Sequence, residues 1–167
     1  SPLKGHLALQ PYTPQWKEQF LAEYQRTRPI LLSKWKHTLD SDLTPDGIVH
    51  IGSTAIKDIA LAKPQHDVAL AVTFHSLPQE FLVDLANLGY AYVGVAPHSL
   101  DCGDHFFAFI PNAEDRLKFG EGFFLHVVTP KVHDWLRTSL AFCEYLSNHV
   151  EARESYSNLK KQSLSME

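Results

Sequence analysis

His50-Ile51-Gly52-Ser53-Thr54, followed by Asp67 fourteen positions after Ser53 in the run Gln65-His66-Asp67-Val68-Ala69-Leu70-Ala71-Val72, carries the strongest fold signal in this chain. Ile48 to Ile51 has strand character. Gly52 comes directly after it, where a residue without a Cβ lets backbone N–H groups approach a ligand oxygen. Alone, a Gly-Ser pair at a strand end is more often a plain turn. Gln65 to Thr73 is expected as the next strand, in which Val68, Leu70 and Val72 point one way while Asp67, Ala69 and Ala71 point the other. The stretch from His50 to Val72 is therefore expected to form a ligand site at the meeting of two strands.

Upstream, Leu7 to Gln10 reads as a short extended start. Thr13 and Pro14 read as an N-cap and first helical position, with Trp16, Phe20 and Tyr24 recurring every four residues behind them. Pro29 is expected to end or kink this helix, which resumes through Ile30, Leu31 and Trp35 to about Thr38. Asp40 to Gly47 is rich in turn formers. Downstream, Leu77 to Leu88 is expected as a helix closed by Gly89, and Tyr90 to Val95 as a strand. His105 to Ile110 and Phe123 to Val128 are strands by their aromatic and β-branched content, and the polar connection Pro111 to Gly122 makes them a hairpin. Trp135, Leu136, Phe142, Tyr145 and Leu146 follow helical spacing, and a last helix from about Val150 carries Ala152, Tyr156 and Leu159. The expected fold is α/β (α+β): one domain over residues 1–167, with a mixed β-sheet flanked by helices and a C-terminal helical pair.

Composition narrows the function classes. A hydrophobic share of 44% with 20% charged residues suits a folded domain. Fifteen Lys and Arg against nineteen Asp and Glu, with no basic cluster, argue against DNA as a partner. No run approaches the roughly 20 apolar residues of a membrane span, and Ser1 to His6 lacks the apolar core of a signal peptide. Cys102 and Cys143 stand 41 positions apart with no Cys-x-x-Cys pairing, so a cytoplasmic location is expected.

The order and spacing of the Gly-Ser turn and the Asp67 strand are similar to those of nucleotidyltransferases of the polymerase-β type, which pair such a turn with an Asp-x-Asp strand. In that arrangement Asp67 holds Mg²⁺ against a triphosphate, helped by a second and a third carboxylate. Here the second position is Ala69. Phe106 to Ile110 and Phe123 to Val128 contain no Asp or Glu, and Asp101 and Asp104 are expected in a loop. Phe124, His126 and Val128 share a strand face, so His126 is expected to look into the site of Asp67, together with His50 and His66. No His-x₃-His spacing marks a metal site, so hydrogen bonding within the sheet or to an anion is the plainer reading of His50 and His126. Lys63-Pro64 can deliver a cation to a phosphate. Trp16, Trp35 and Trp135 are expected in the core.

Six motifs in order, Pro11-Tyr12-Thr13-Pro14-Gln15-Trp16, His50-Ile51-Gly52-Ser53-Thr54-Ala55, Lys63-Pro64 with Asp67, Leu88-Gly89-Tyr90, Leu125-His126-Val127-Val128 and Ala141-Phe142 through Tyr145-Leu146, resemble the GrpB family, and Tyr156 with Leu159-Lys160 continues the match. The resemblance implies a nucleotidyltransferase-like fold, in a family largely uncharacterised and in some members fused to dephospho-CoA kinase. Carried over, it makes His50, Gly52, Ser53, Lys63, Asp67 and His126 the site: Asp67, Ser53 and His126 in catalytic roles, Gly52, Ser53, Lys63 and His50 on the ligand, and Asp67 on Mg²⁺. Val49, Gln65-His66, His105, Ala108 and Cys143-Glu144 depart from the family pattern and change the charge around that site. With one secure carboxylate, binding of a nucleotide or phosphorylated metabolite is favoured over catalysis. The alternatives are Mg²⁺-dependent nucleotidyl transfer to a small molecule or macromolecule, and a non-catalytic interaction or scaffold domain. Expected partners are a nucleotide or phosphorylated small molecule, a second copy in a homodimer and, by family analogy, a kinase of CoA biosynthesis.

Overall fold

The computed structural model describes residues 8–96 and 103–165; Ser1 to His6, Leu7, Asp101 and Cys102 lie outside the described residues. Helix α1 spans Gln15–Lys34, opened by Thr13, whose Oγ1 accepts from the Gln15 N–H at 3.3 Å. Its buried face is Trp16, Gln19, Glu23, Thr27 and Leu31, and the expected stripe residues Phe20 and Tyr24 pack partly buried beside it. Polar groups survive on that face because each has a partner. Glu23 is fully buried and accepts from Arg26 Nε at 3.0 Å and from the Tyr90 hydroxyl at 3.3 Å, while Arg26 also lies 4.2 Å from the Phe109 ring centre. Pro29 does not end the helix. Buried Thr27 and Leu31 bracket it, and this packing on both sides outweighs the hydrogen bond that proline cannot make. A 3₁₀ turn over Lys36–Thr38 follows.

Five strands form one mixed sheet: β1 Val49–Ile51, β2 His66–Ala71, β3 Ala91–Val95, β4 Asp104–Phe109 and β5 Phe123–Val128, in the order β1-β2-β5-β4-β3. β2 and β5 are parallel and the other pairs antiparallel. Helix α2, Gln79–Asn87, carries the chain from β2 to the far edge, and Gly89 (φ +92°) supplies the left-handed residue that turns it into β3. The β4–β5 connection contains a short helix, α3, Arg116–Phe119. Asp104, expected in a loop, is instead the first residue of β4 and fully buried, because it pairs with Val128 on β5.

The two faces of the sheet differ. Val68 and Leu70 of β2 and Phe123, Leu125 and Val127 of β5 join Leu31 of α1 and Phe81 and Leu85 of α2 in the main core. The opposite face presents Ala69, Ala71 and Val128 to Val132 and to Leu136 of the helix that follows it, α4, His133–Asn148. Small side chains at 69 and 71 let that helix sit close to the sheet. α5, Val150–Ser165, completes the C-terminal pair. Ile56, Ile59 and Ala62 form a third buried cluster with Trp16, Cys143 and Leu146, which ties the segment between β1 and β2 to α1 and α4. Among the described residues no helix is long and apolar enough to cross a membrane.

Candidate functional site

Gly52 sets the geometry of the site. Its backbone is left-handed (φ 75°), and a Cβ there would stand 2.7 Å from Asp67 Oδ2, so only glycine lets the chain leave β1 beside the Asp67 carboxylate. A single 3₁₀ turn, Ser53–Ala55, follows, in which the Ala55 N–H donates to Gly52 O at 3.1 Å and the Ile56 N–H to Ser53 O at 3.1 Å. Within that turn the N–H groups of Ser53 and Thr54 have no acceptor, as at any helix start.

Ser53 looks toward the C-terminal helix. Lys160 Nζ donates to its Oγ at 2.6 Å, and the Tyr156 hydroxyl lies 3.2 Å from the same oxygen. Tyr156 and Lys160 are one turn apart on α5 and so share a face. Ser53 and Lys160, together with Lys63, Gln65, Asp67 and Phe124, line an open cavity of about 290 Å³. Ser53, Lys63 and Asp67 line the same cavity, with Gly52 next to Asp67. Lys160 and Tyr156 were not anticipated as site residues, although their four-residue spacing near the chain end was a legible signal of a shared helix face.

His126 faces Asp67, with Nε2 at 3.7 Å from Oδ1. On its other side, Nδ1 lies 3.2 Å from both oxygens of Asp104. Burial opposes charge on this imidazole, yet the Asp104 and Asp67 carboxylates outweigh it and hold the pKa up to about 9. His126 is therefore an imidazolium at neutral pH.

His50 and His66 lie on the opposite face of the sheet from Asp67. β1 pairs with β2 so that His50 stands beside Val68, and its ring stacks on Phe20 at 4.8 Å. The Thr54 hydroxyl bridges the two histidines, 2.9 Å from His50 Nε2 and 3.2 Å from His66 Nδ1, and His66 Nε2 meets Gln19 Oε1 at 2.9 Å. One proton order satisfies all three contacts: His50 Nε2–H donates to Thr54, the Thr54 hydroxyl to His66 Nδ1, and His66 Nε2–H to Gln19. Both rings are then neutral, and burial pushes His50 down to about 3 and His66 to about 4. This network braces the Gly52–Ser53 turn from behind. Cys143, one of the departures from the family pattern, does the same: its buried free thiol, raised to about 11 by burial, donates to Gly52 O at 3.5 Å.

The donor set does not fit Mg²⁺. Ala69 is fully buried and offers no oxygen, and Asp104 turns both of its oxygens to His126. Among the described residues no group of three or more His, Cys, Asp or Glu side chains is disposed to hold a metal ion. Mg²⁺ asks for several oxygen ligands in near-octahedral order.

The sequence model of the family described as GrpB protein matches residues 6–167. The crystal structure of conserved protein GrpB from Enterococcus faecalis superposes with a TM-score of 0.66 at 26% identity, over 95% of this chain and 84% of that one. A cytoplasmic RNA terminal U-transferase (TM-score 0.54, 13% identity) covers 90% of this chain and 41% of its own. Cid1 in complex with the UTP analog UMPNPP (TM-score 0.53, 14% identity) covers the same shares, 90% and 41%. The chain thus spans about two fifths of these two nucleotidyltransferases, and the likeness is one of fold. No curated protein matches the sequence.

Proposed function

The chain belongs to the GrpB family, and from that premise we propose that it binds a nucleotide or a phosphorylated metabolite in the cavity between the Gly52–Ser53 turn, Asp67 and α5. The observation that carries this reading is Lys160 Nζ on Ser53 Oγ at 2.6 Å, on the wall of a cavity that Lys63 also lines. Two ammonium groups and a hydroxyl around an open space offer charge-assisted hydrogen bonds to phosphate oxygens. Phe124 adds an apolar floor. Nucleotidyl transfer is the second reading, favoured by the fold shared with Cid1, whose structure holds a UTP analog.

Calorimetry and thermal shift with the four nucleoside triphosphates, CoA precursors and sugar phosphates test the proposal. The expected result is saturable binding by at least one phosphorylated compound, lost in Lys160→Met. A ligand at a hundred times its Kd stabilises the fold by about 2.7 kcal/mol, a readily measured rise in Tm. No binding at millimolar concentrations of any of them overturns it. Product formation, followed by mass spectrometry, separates transfer from binding alone.

A further inference from the structure

Between the start of α1 and the α3 turn lies another open cavity, of about 440 Å³, and Gln19 of α1 lines it although only 7% exposed. One end of this side chain is fixed: Oε1 accepts from His66 Nε2 at 2.9 Å. Gly120 keeps that contact clear, since a Cβ there would stand 2.7 Å from the oxygen. The amide nitrogen at the other end carries two N–H groups and has no partner among the described residues. It is not sealed inside the protein, so it opens on the cavity. A buried donor without an acceptor is unfavourable, and a carboxamide held this way is a docking point for an oxygen atom supplied from outside.

The rest of the wall narrows the class of molecule. Arg116 and Glu121, the charged side chains that line the cavity, meet each other at 3.1 Å and cancel, so nothing there selects an ion. Gln15 stands one turn before Gln19 on α1 and shares its face. Gln10 lines the cavity as well, its backbone fixed to Ala62 by hydrogen bonds of 2.8 and 2.9 Å. A carboxamide offers a donor and an acceptor side by side, the complement of an amide or lactam edge. Trp16 lines the cavity but is 2% exposed, so it presents no ring face for stacking and recognition falls to hydrogen bonds. The volume lies within the roughly 300–1,000 Å³ usual for small-molecule sites. We propose that this cavity is a second ligand site, which takes an uncharged small molecule by an amide or lactam edge: its carbonyl oxygen accepts from the Gln19 N–H groups, and its N–H donates to the carboxamide oxygen of Gln15. The site is separate from the phosphate-receiving cavity. Lys63 and Gln65 line that one, and Pro64 between them lines this one.

The test follows the full chain by proton–nitrogen NMR, with the Gln19 side-chain amide signals identified by their loss in Gln19→Glu. Uridine supplies a lactam edge and N-methylacetamide a peptide-type amide. Each is paired with an analogue whose N–H is blocked by a methyl group, 3-methyluridine and N,N-dimethylacetamide. The expected result is a saturable shift of the Gln19 signals by at least one of the two probes, with its methylated analogue bound at least about fivefold more weakly. Gln15→Ala, at an exposed position in the first turn of α1, is expected to fold normally and to weaken the same probe by about fivefold. No shift of the Gln19 signals by either probe at tens of millimolar, equal binding of the methylated analogues, or unchanged binding in Gln15→Ala overturns the inference. Shifts confined to Ser53 and Lys160 place the probe in the other cavity and overturn it as well. The phosphate-receiving reading stands or falls separately, on the titrations with phosphorylated compounds.

Discussion

Lys160 Nζ lies 2.6 Å from Ser53 Oγ, so a helix near the end of the chain and the turn after the first strand, 107 residues apart, form two walls of one cavity. The contact is partly exposed, and its value to stability is correspondingly small. Lys160→Met keeps the length of the side chain and removes its charge. The expected outcome is a change of no more than about 0.5 kcal/mol in unfolding free energy, with a loss of about tenfold in affinity for the phosphorylated ligand. Urea denaturation and calorimetry on the same preparation check both halves. A fall in stability with unchanged affinity would assign Lys160 to the fold alone.

Gly52→Ala meets two obstacles at once, the left-handed backbone and the Asp67 oxygen 2.7 Å from the new Cβ. Strain of this kind costs about 1–3 kcal/mol. Asp67→Ala removes the closest contact, that of the carboxylate, and leaves the Cβ at 3.1 Å and the backbone strain, so the double variant is expected to be more stable than the two single effects added together. A denaturation cycle over the four proteins measures that coupling. Strict additivity would show that the carboxylate and the turn do not touch.

Stability is expected to pass through a plateau near pH 6.5 and to decline on both sides of it. His50 and His66 are neutral in the fold, with values of about 3 and 4. Unfolding lets them take up protons, so the stability they protect is present above about 6.5 and is lost as the pH falls toward those values. His126 has the opposite sign. Its folded value of about 9 means that its contribution is complete below about 6.5 and is lost as the pH rises toward 9. At 1.36 kcal/mol per unit, that limb amounts to about 3 kcal/mol. Urea midpoints from pH 4 to 10 trace the curve. His126→Gln should flatten the alkaline limb and leave the acid one in place.

Asp104→Asn takes one carboxylate from His126 while keeping its shape. Breaking a buried charged pair costs about 3–5 kcal/mol. The imidazole should also titrate closer to the usual histidine range, which NMR of its ring protons reads directly. A His126 titration that stays where it was, with unchanged stability, would mean that Asp104 is a bystander.

Sequence reading succeeded where the pattern was local. Alternation along residues 65–73 placed Asp67, Ala69 and Ala71 on one face and Val68 and Leu70 on the other, as the structure has them. The aromatic content of residues 105–110 and 123–128 gave two strands, and the polar link between them gave their antiparallel pairing. It fell short where a residue's role depends on what lies across from it. His50 is one residue from the end of β1, and a slip of a single position in the β1–β2 register would turn it to the Asp67 face. Asp104 reads as a loop residue until β5 is laid beside it. The polar face of α1 looks wrong for burial until Arg26, Tyr90 and His66 are seen to satisfy it.

The sequence by itself therefore determined the strand that carries Asp67, the glycine turn that approaches it and the pair of helices at the end of the chain. These follow from side-chain periodicity and from the backbone freedom of glycine, which act within a few residues. Tertiary structure alone decided that Lys160 reaches the cavity and Tyr156 meets Ser53 beside it, that His126 lies between two carboxylates, and that His50 and His66 stand behind the sheet. Register and helix docking bring those groups together across 12 to 107 residues, and charge, burial and protonation are properties of the assembled neighbourhood.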